Sequence, residues 1–142
     1  MPNWASIGSS LAAKCAGIDG IAQVAYPPPT EFALTPAIAI FSPSVTHTEY
    51  PSLDEYRSRW AMRLYVERTA DYAEPANLLD PYISAVYSAF ASGRTLALNS
   101  DGVMDCRIAR HEIDHLNDYG GAYVGARFEI EVRVLEPVTR TA

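Results

Sequence analysis

The chain has 142 residues, 49% apolar and 20% charged, with a formal net charge of −6 and a pI of about 4.9. That length and balance suit a single folded domain and exclude a disordered segment. The acidity disfavours nucleic acid as the main ligand, because phosphate binding draws on clustered Lys and Arg, and no apolar run is long enough to span a bilayer. In chain order, Trp4 to Ala16 carries Ile7, Leu11 and Cys15 at helical spacing and is closed by Gly17, which predicts a short N-terminal helix within residues 1–19. The same stretch lacks the basic start and apolar core of a signal peptide, so folding in a cytosol is expected. Ile21 to Tyr26 reads as a short strand that ends at Pro27-Pro28-Pro29, since proline cannot donate to a ladder. The apolar run Ala37 to Phe41 reads as a buried strand, and Ser42 to Pro51 as a loop or hairpin tip.

Two segments alternate strictly. Trp60, Met62, Leu64 and Val66 interleave with Arg59, Ala61, Arg63, Tyr65 and Glu67. Near the C-terminus, Phe128, Ile130, Val132 and Val134 interleave with Arg127, Glu129, Glu131 and Arg133. A period of two means strands with one buried and one polar face, which suits an antiparallel or mixed sheet. Between them, Asp80 as N-cap and Pro81 at the first helical position predict a helix. Leu79, Ile83, Val86 and Phe90 fall on one of its faces, Gly93 supplies its stop, and Glu74 to Leu79 forms a preceding helical turn. The fold class expected is α+β: a mixed or antiparallel sheet packed by one main helix and one or two short ones, in one domain spanning 1–142. Pro137 to Ala142 reads as a loose tail. Cys15 and Cys106 read as free thiols. Lys14 is the single lysine beside ten arginines, which reads as codon usage of a GC-rich genome rather than as chemistry.

His111-Glu112-Ile113-Asp114-His115 matches H-E-x-x-H. On a helix, residues i and i+4 share a side, so two imidazoles can hold zinc while the glutamate serves as general base. Extended to Asn117, the string resembles the zinc-site helix of peptide deformylases. That resemblance implies a small zinc-dependent hydrolase with His111 and His115 as metal ligands and Glu112 as acid/base. The deformylase pattern takes its third ligand from a cysteine in a Glu-Gly-Cys-Leu segment well upstream. The nearest cysteine here is Cys106, in Met104-Asp105-Cys106-Arg107, without that context. As a strand, the segment would set the histidines about 13 Å apart, at roughly 3.3 Å per residue. The preferred reading is two surface histidines on a polar strand end or loop, with no catalytic residue, metal or cofactor. Trp60, Tyr82 and Tyr87 read as core or interface aromatics, and Asp114 with Asn117 and Asp118 as solvated charge.

Four segments, in order and spacing, resemble a known family. They are Ile38 to Phe41 after Tyr26 and its prolines, Trp60 to Val66, Leu78-Leu79-Asp80-Pro81-Tyr82, and Tyr119-Gly120-Gly121-Ala122-Tyr123 running on to Val132. Together they cover most of residues 20–136 and resemble the tail terminator proteins of long-tailed bacteriophages, especially those of actinobacterial phages. The resemblance implies a structural virion protein of the tail or neck, assembled in the host bacterial cytoplasm. It implies a homo-oligomeric ring of six that caps the tail tube, ends its polymerisation and docks to the head connector. The expected partners are therefore other copies of the chain, the tail tube protein and the connector, with no nucleic acid, membrane or cofactor. A different neck or head-completion protein is the neighbouring alternative. Gly120, Gly121 and Gly125 suit a turn or bulge entering the last strand. Arg59, Arg63, Glu67, Arg127, Glu129, Glu131 and Arg133 are candidates for the subunit interface, where complementary charge fixes register.

Overall fold

Two long strands organise the chain. The computed structural model describes residues 2–30, 34–67, 75–96, 98, 102–117 and 123–138. Its elements are α1 (Trp4–Ala16), β1 (Gln23–Ala25), β2 (Ala37–Ile40), β3 (Ser44–Glu49), β4 (Leu53–Glu67), α2 (Pro75–Ala91), β5 (Val103–Leu116) and β6 (Tyr123–Pro137). They form an α+β fold, a six-stranded mixed sheet in the order β1-β2-β4-β6-β5, with β3 also paired to β4. Only β1 and β2 run parallel; β4 and β6 pair antiparallel from Leu53↔Pro137 to Glu67↔Val124. Since β6 occupies one edge of β4 over its whole length, β2 and β3 follow each other along the opposite edge.

Alternation along β4 and β6 sends Trp60, Met62, Leu64, Phe128, Ile130, Val132 and Val134 into one core. Both helices lie over this side. Ile7, Leu11 and Cys15 of α1 are buried, as are Leu79, Ile83, Val86 and Phe90 of α2, the stripes that helical spacing predicts. Asn3 caps α1 by accepting a 3.1 Å hydrogen bond from the Ser6 amide. Gly8 lies where the Tyr26 ring crosses α1, so close that a Cβ would enter the ring. Trp60 sits at the centre, fully buried, its indole Nε1 donating to Ser58 Oγ at 2.9 Å, with the Tyr26 ring edge-on at 5.7 Å. Among the described residues, every buried side-chain polar atom has a hydrogen-bond partner, and no helix is long and apolar enough to cross a membrane.

Several expectations are corrected. Ser42 to Pro51 is not a loop throughout, because β3 spans Ser44–Glu49 and pairs with β4. Every β3 residue is exposed, so burial leaves no apolar pattern to read there. The strand read from Arg59 begins at Leu53, where inward-facing Asp54 and Ser58 mask the alternation. Asp80 does not cap α2, which starts at Pro75 and runs on through Pro81. The start of the C-terminal tail is held, with Pro137 ending β6 and the Val138 amide donating to the Ser52 carbonyl at 3.1 Å; residues 139–142 lie outside the described residues. So do Tyr119 to Ala122, with the turn or bulge expected at Gly120 and Gly121. Gly125 is needed for close approach, because a Cβ there would strike the Leu64 carbonyl oxygen and press on Leu116.

Two predictions test this packing. Gly125→Ala should destabilise the protein by about 1–3 kcal/mol, the usual cost of overpacking, measurable as a lower urea midpoint at unchanged slope. Cys15 and Cys106 are free and buried, and burial pushes both thiols up to about 12. Iodoacetamide at pH 8 should therefore leave both unmodified in the native protein and alkylate both in denaturant; labelling of the native protein would contradict the packing.

Candidate functional site

The residues that do not enter the core converge on the other side of the sheet. Arg57, Arg59 and Arg63 of β4 share this side with their register partners Arg133, Glu131 and Arg127 of β6, and with Glu129, which pairs with Ala61. β5 adds Arg107 opposite Glu131, Arg110 opposite Glu129, Glu112 opposite Arg127, and Asp114 opposite Gly125. Among the described residues, no helix covers this face. At one end, Ala39, Tyr65, Leu116 and Tyr123 form a small second apolar cluster with Phe41 beside it.

The charges form a lattice in which single carboxylates serve two guanidinium groups. Glu129 meets Arg59 at 3.3 Å and Arg110 at 3.1 Å. Glu55 accepts from Arg133 at 2.8 Å and from Arg57 at 3.0 Å. Arg107 reaches Glu131 and Arg127 reaches Asp114, each at 3.6 Å, while the Arg63 guanidinium lies 4.5 Å from the centre of the Phe41 ring. Arg59, Arg63, Arg110 and Arg127, with Glu112 and Glu129, line an open hollow of about 450 Å³. Hydrogen bonds from Arg133 first and Arg57 second hold the Glu55 carboxyl below its ordinary range. Six of the seven expected interface residues thus share one surface; Glu67 ends β4 beyond a bulge, outside the ion-pair lattice.

The arginine count has a location rather than only a genomic cause. Seven of the ten arginines stand on this one face: Arg57, Arg59, Arg63, Arg107, Arg110, Arg127 and Arg133. Contributors that sequence reading missed include Arg57, Arg107, Arg110 and Glu55. Arg57 and Glu55 belong to the stretch where Asp54 and Ser58 hide the strand. Arg107 and Arg110 differ by an odd number of positions yet share a face because a bulge intervenes between Ile108 and Arg110.

The structure does not gather the H-E-x-x-H residues as the motif's zinc site would. His111, Glu112 and His115 lie on β5, so the helical premise of the motif is not met. His111 and His115 pair with Phe128 and Val124, on the helix-covered side, whereas Glu112 pairs with Arg127 and lines the opposite hollow. A general base on the far side of the sheet cannot act on a ligand held by the two imidazoles. Four residue steps of strand also set those histidines about 13 Å apart along the chain, against zinc–nitrogen distances near 2 Å. His111 instead packs on α2, its Nδ1 2.7 Å from the Tyr87 hydroxyl and its ring against Phe128. Tyr87 is thereby a packing aromatic. His47, the third histidine, stacks on Tyr56 at 4.4 Å and brings Nε2 within 3.2 Å of Asp54, pinning β3 to β4.

The Glu55 environment makes a pH prediction. Its folded pKa is lowered, so its stabilisation is complete above the unfolded value of about 4.3 and is lost as pH falls through the folded value. Glu55→Gln should flatten the acid limb of stability below pH about 4.3, read by urea titrations between pH 2 and 7. An unchanged limb would mean that the Arg57–Glu55–Arg133 bridge contributes nothing. No protein-family model matches the chain, and no curated protein is similar to it in sequence.

Proposed function

We propose that the chain is a structural ring-forming protein of the phage tail terminator type, capping the tail tube, ending its polymerisation and docking to the head connector in the virion neck. The observation that carries this reading is the uncovered, charge-patterned sheet face on which Arg59, Arg63, Arg127, Glu129, Glu131 and Arg133 stand together. A sheet of 15-residue strands with helices on one side offers its other side to a partner. Paired charges of both signs select register and orientation more than raw affinity, which suits a subunit contact better than a substrate pocket. The resemblance of the four segments to tail terminators supplies the identity of the ring. No step of this role calls for catalysis, metal or cofactor.

Native mass spectrometry of the purified protein tests the reading, because assembly and bound metal are read together. A discrete, metal-free hexamer is expected, with binding to tail tube protein. A hexamer that binds only the connector would point instead to a head-completion protein, and a stable monomer at high concentration would oppose any ring.

A further inference from the structure

We infer that successive copies of the chain join through the edges of the sheet, the outer side of β5 in one copy pairing antiparallel with β3 of the next. The inference rests on the ring reading above and names its contact.

The sheet is open, and its edges are unequal. β5 is the last strand at one edge, and no strand among the described residues pairs with its outer side. Its register with β6 shifts twice before Arg110 and then runs unbroken to Leu116. Side chains of residues 109–113 are exposed on both sides of the sheet. At the far edge, β1 has three residues and is followed by Pro27-Pro28-Pro29, a common way of blunting an edge. β3 is not blunted. Its six residues contain no proline, are all exposed, and pair with β4 alone among the described residues. An unpaired strand edge presents a row of N–H and C=O groups that a strand of another chain can complete.

Exposed apolar side chains mark the same two edges. Among the described residues, the large hydrophobic side chains left exposed are Leu34, Val45, Tyr50, Tyr87, Met104 and Ile113. Met104 and Ile113 lie on β5, and Tyr87 packs on His111 of that strand. Val45 lies on β3, and Tyr50 follows it. Ile113, opposite Ala126, and Val45, opposite Ser58, both point to the helix-covered side.

Strand direction permits the two edges to meet. β3 and β6 run one way, β4 and β5 the other, so a copy moved along the sheet without being turned over brings its β3 antiparallel to β5. The helix layers then stay on one side, and Val45 meets the stretch around Ile113. On the other side, Ser44, Thr46 and Thr48 come beside Arg110, Glu112 and Asp114, with Arg59, Arg57 and Glu55 one strand further. The charge pattern therefore continues across the joint, where it fixes register. The lengths match, six residues of β3 against the seven of residues 110–116. Because unlike edges meet, the contact is heterologous, the kind whose rotation closes a ring. Two β5 strands paired about a two-fold axis would stop at two copies and leave β3 open.

Cross-linking tests the contact. Cys15 and Cys106 are buried, so cysteines placed at the exposed Val45 and Ile113 are the reactive ones in the native protein. Circular dichroism checks that Val45→Cys, Ile113→Cys and the double variant are folded. A short bis-maleimide should link the double variant into a ladder ending at six chains on a denaturing gel, and should link neither single variant. Dimers of Ile113→Cys alone would mean that two β5 strands pair, which overturns the inference. A double variant that stays unlinked while native mass spectrometry shows the hexamer overturns it too, and leaves the ring reading standing. A ladder that runs past six keeps the contact and defeats the terminator reading, while a wild-type monomer defeats both. Val45→Lys gives a second readout. Charge on a free strand edge opposes pairing, so the variant should raise the concentration needed for the hexamer by roughly tenfold or more; an unchanged hexamer overturns the inference alone.

Discussion

The antiparallel ladder between β4 and β6 is the constraint on which the rest depends. Its register is continuous from Leu53↔Pro137 to Tyr65↔Gly125, so every side chain of both strands is assigned to one of two sides. A slip of one residue would exchange the sides entirely and place Arg59, Arg63, Arg127 and Arg133 in the core. Burial of Trp60, Met62, Leu64, Ile130 and Val132 opposes that slip, and Ser58, bonded to Trp60 Nε1 and to the Val132 carbonyl, ties the two strands at the centre. The close approach of Gly125 to the Leu64 carbonyl shows how tightly the far end is set.

From this ladder the polar surface follows. Once the apolar set faces α1 and α2, the guanidinium and carboxylate groups have no choice but the other side, where they stand about one strand spacing apart. Individual exposed ion pairs contribute little to stability. Their value here lies in arrangement: a patterned plane of paired charge on an otherwise acidic chain. The two sides differ in character, apolar cohesion on one and a pattern of paired charge on the other.

The histidine segment illustrates how pairing on the other edge of β6 removes a chemistry that residue types alone allow. H-E-x-x-H is a zinc site because a helix brings the histidines at i and i+4 to one side with the glutamate at i+1 beside them. Pairing with β6 makes the segment a strand, and a strand sends adjacent residues to opposite faces. His111 then becomes a partner for Tyr87 and Phe128, and Glu112 joins the arginine lattice. The chemistry of each residue is unchanged; only the backbone that carries it differs.

What was legible in the sequence was what short-range periodicity encodes. The limits of α1, the buried stripe of α2, the strands at Ala37–Ile40 and the two alternating segments are all visible because their patterns repeat within a few residues. The six interface candidates that share the face were legible for the same reason. Tertiary structure alone decided the rest. β3 has no buried side and therefore no pattern, so only its pairing with β4 makes it a strand. Arg107 and Arg110 reach the same face only because a bulge shifts their phase, and bulges are set by the partner strand. The fate of the histidines was open because H-E-x-x-H satisfies helix and strand alike until β6 supplies the hydrogen bonds. Local sequence carries the period of an element; which neighbour satisfies its backbone, and hence where each charge points, is settled by contacts between segments far apart in the chain.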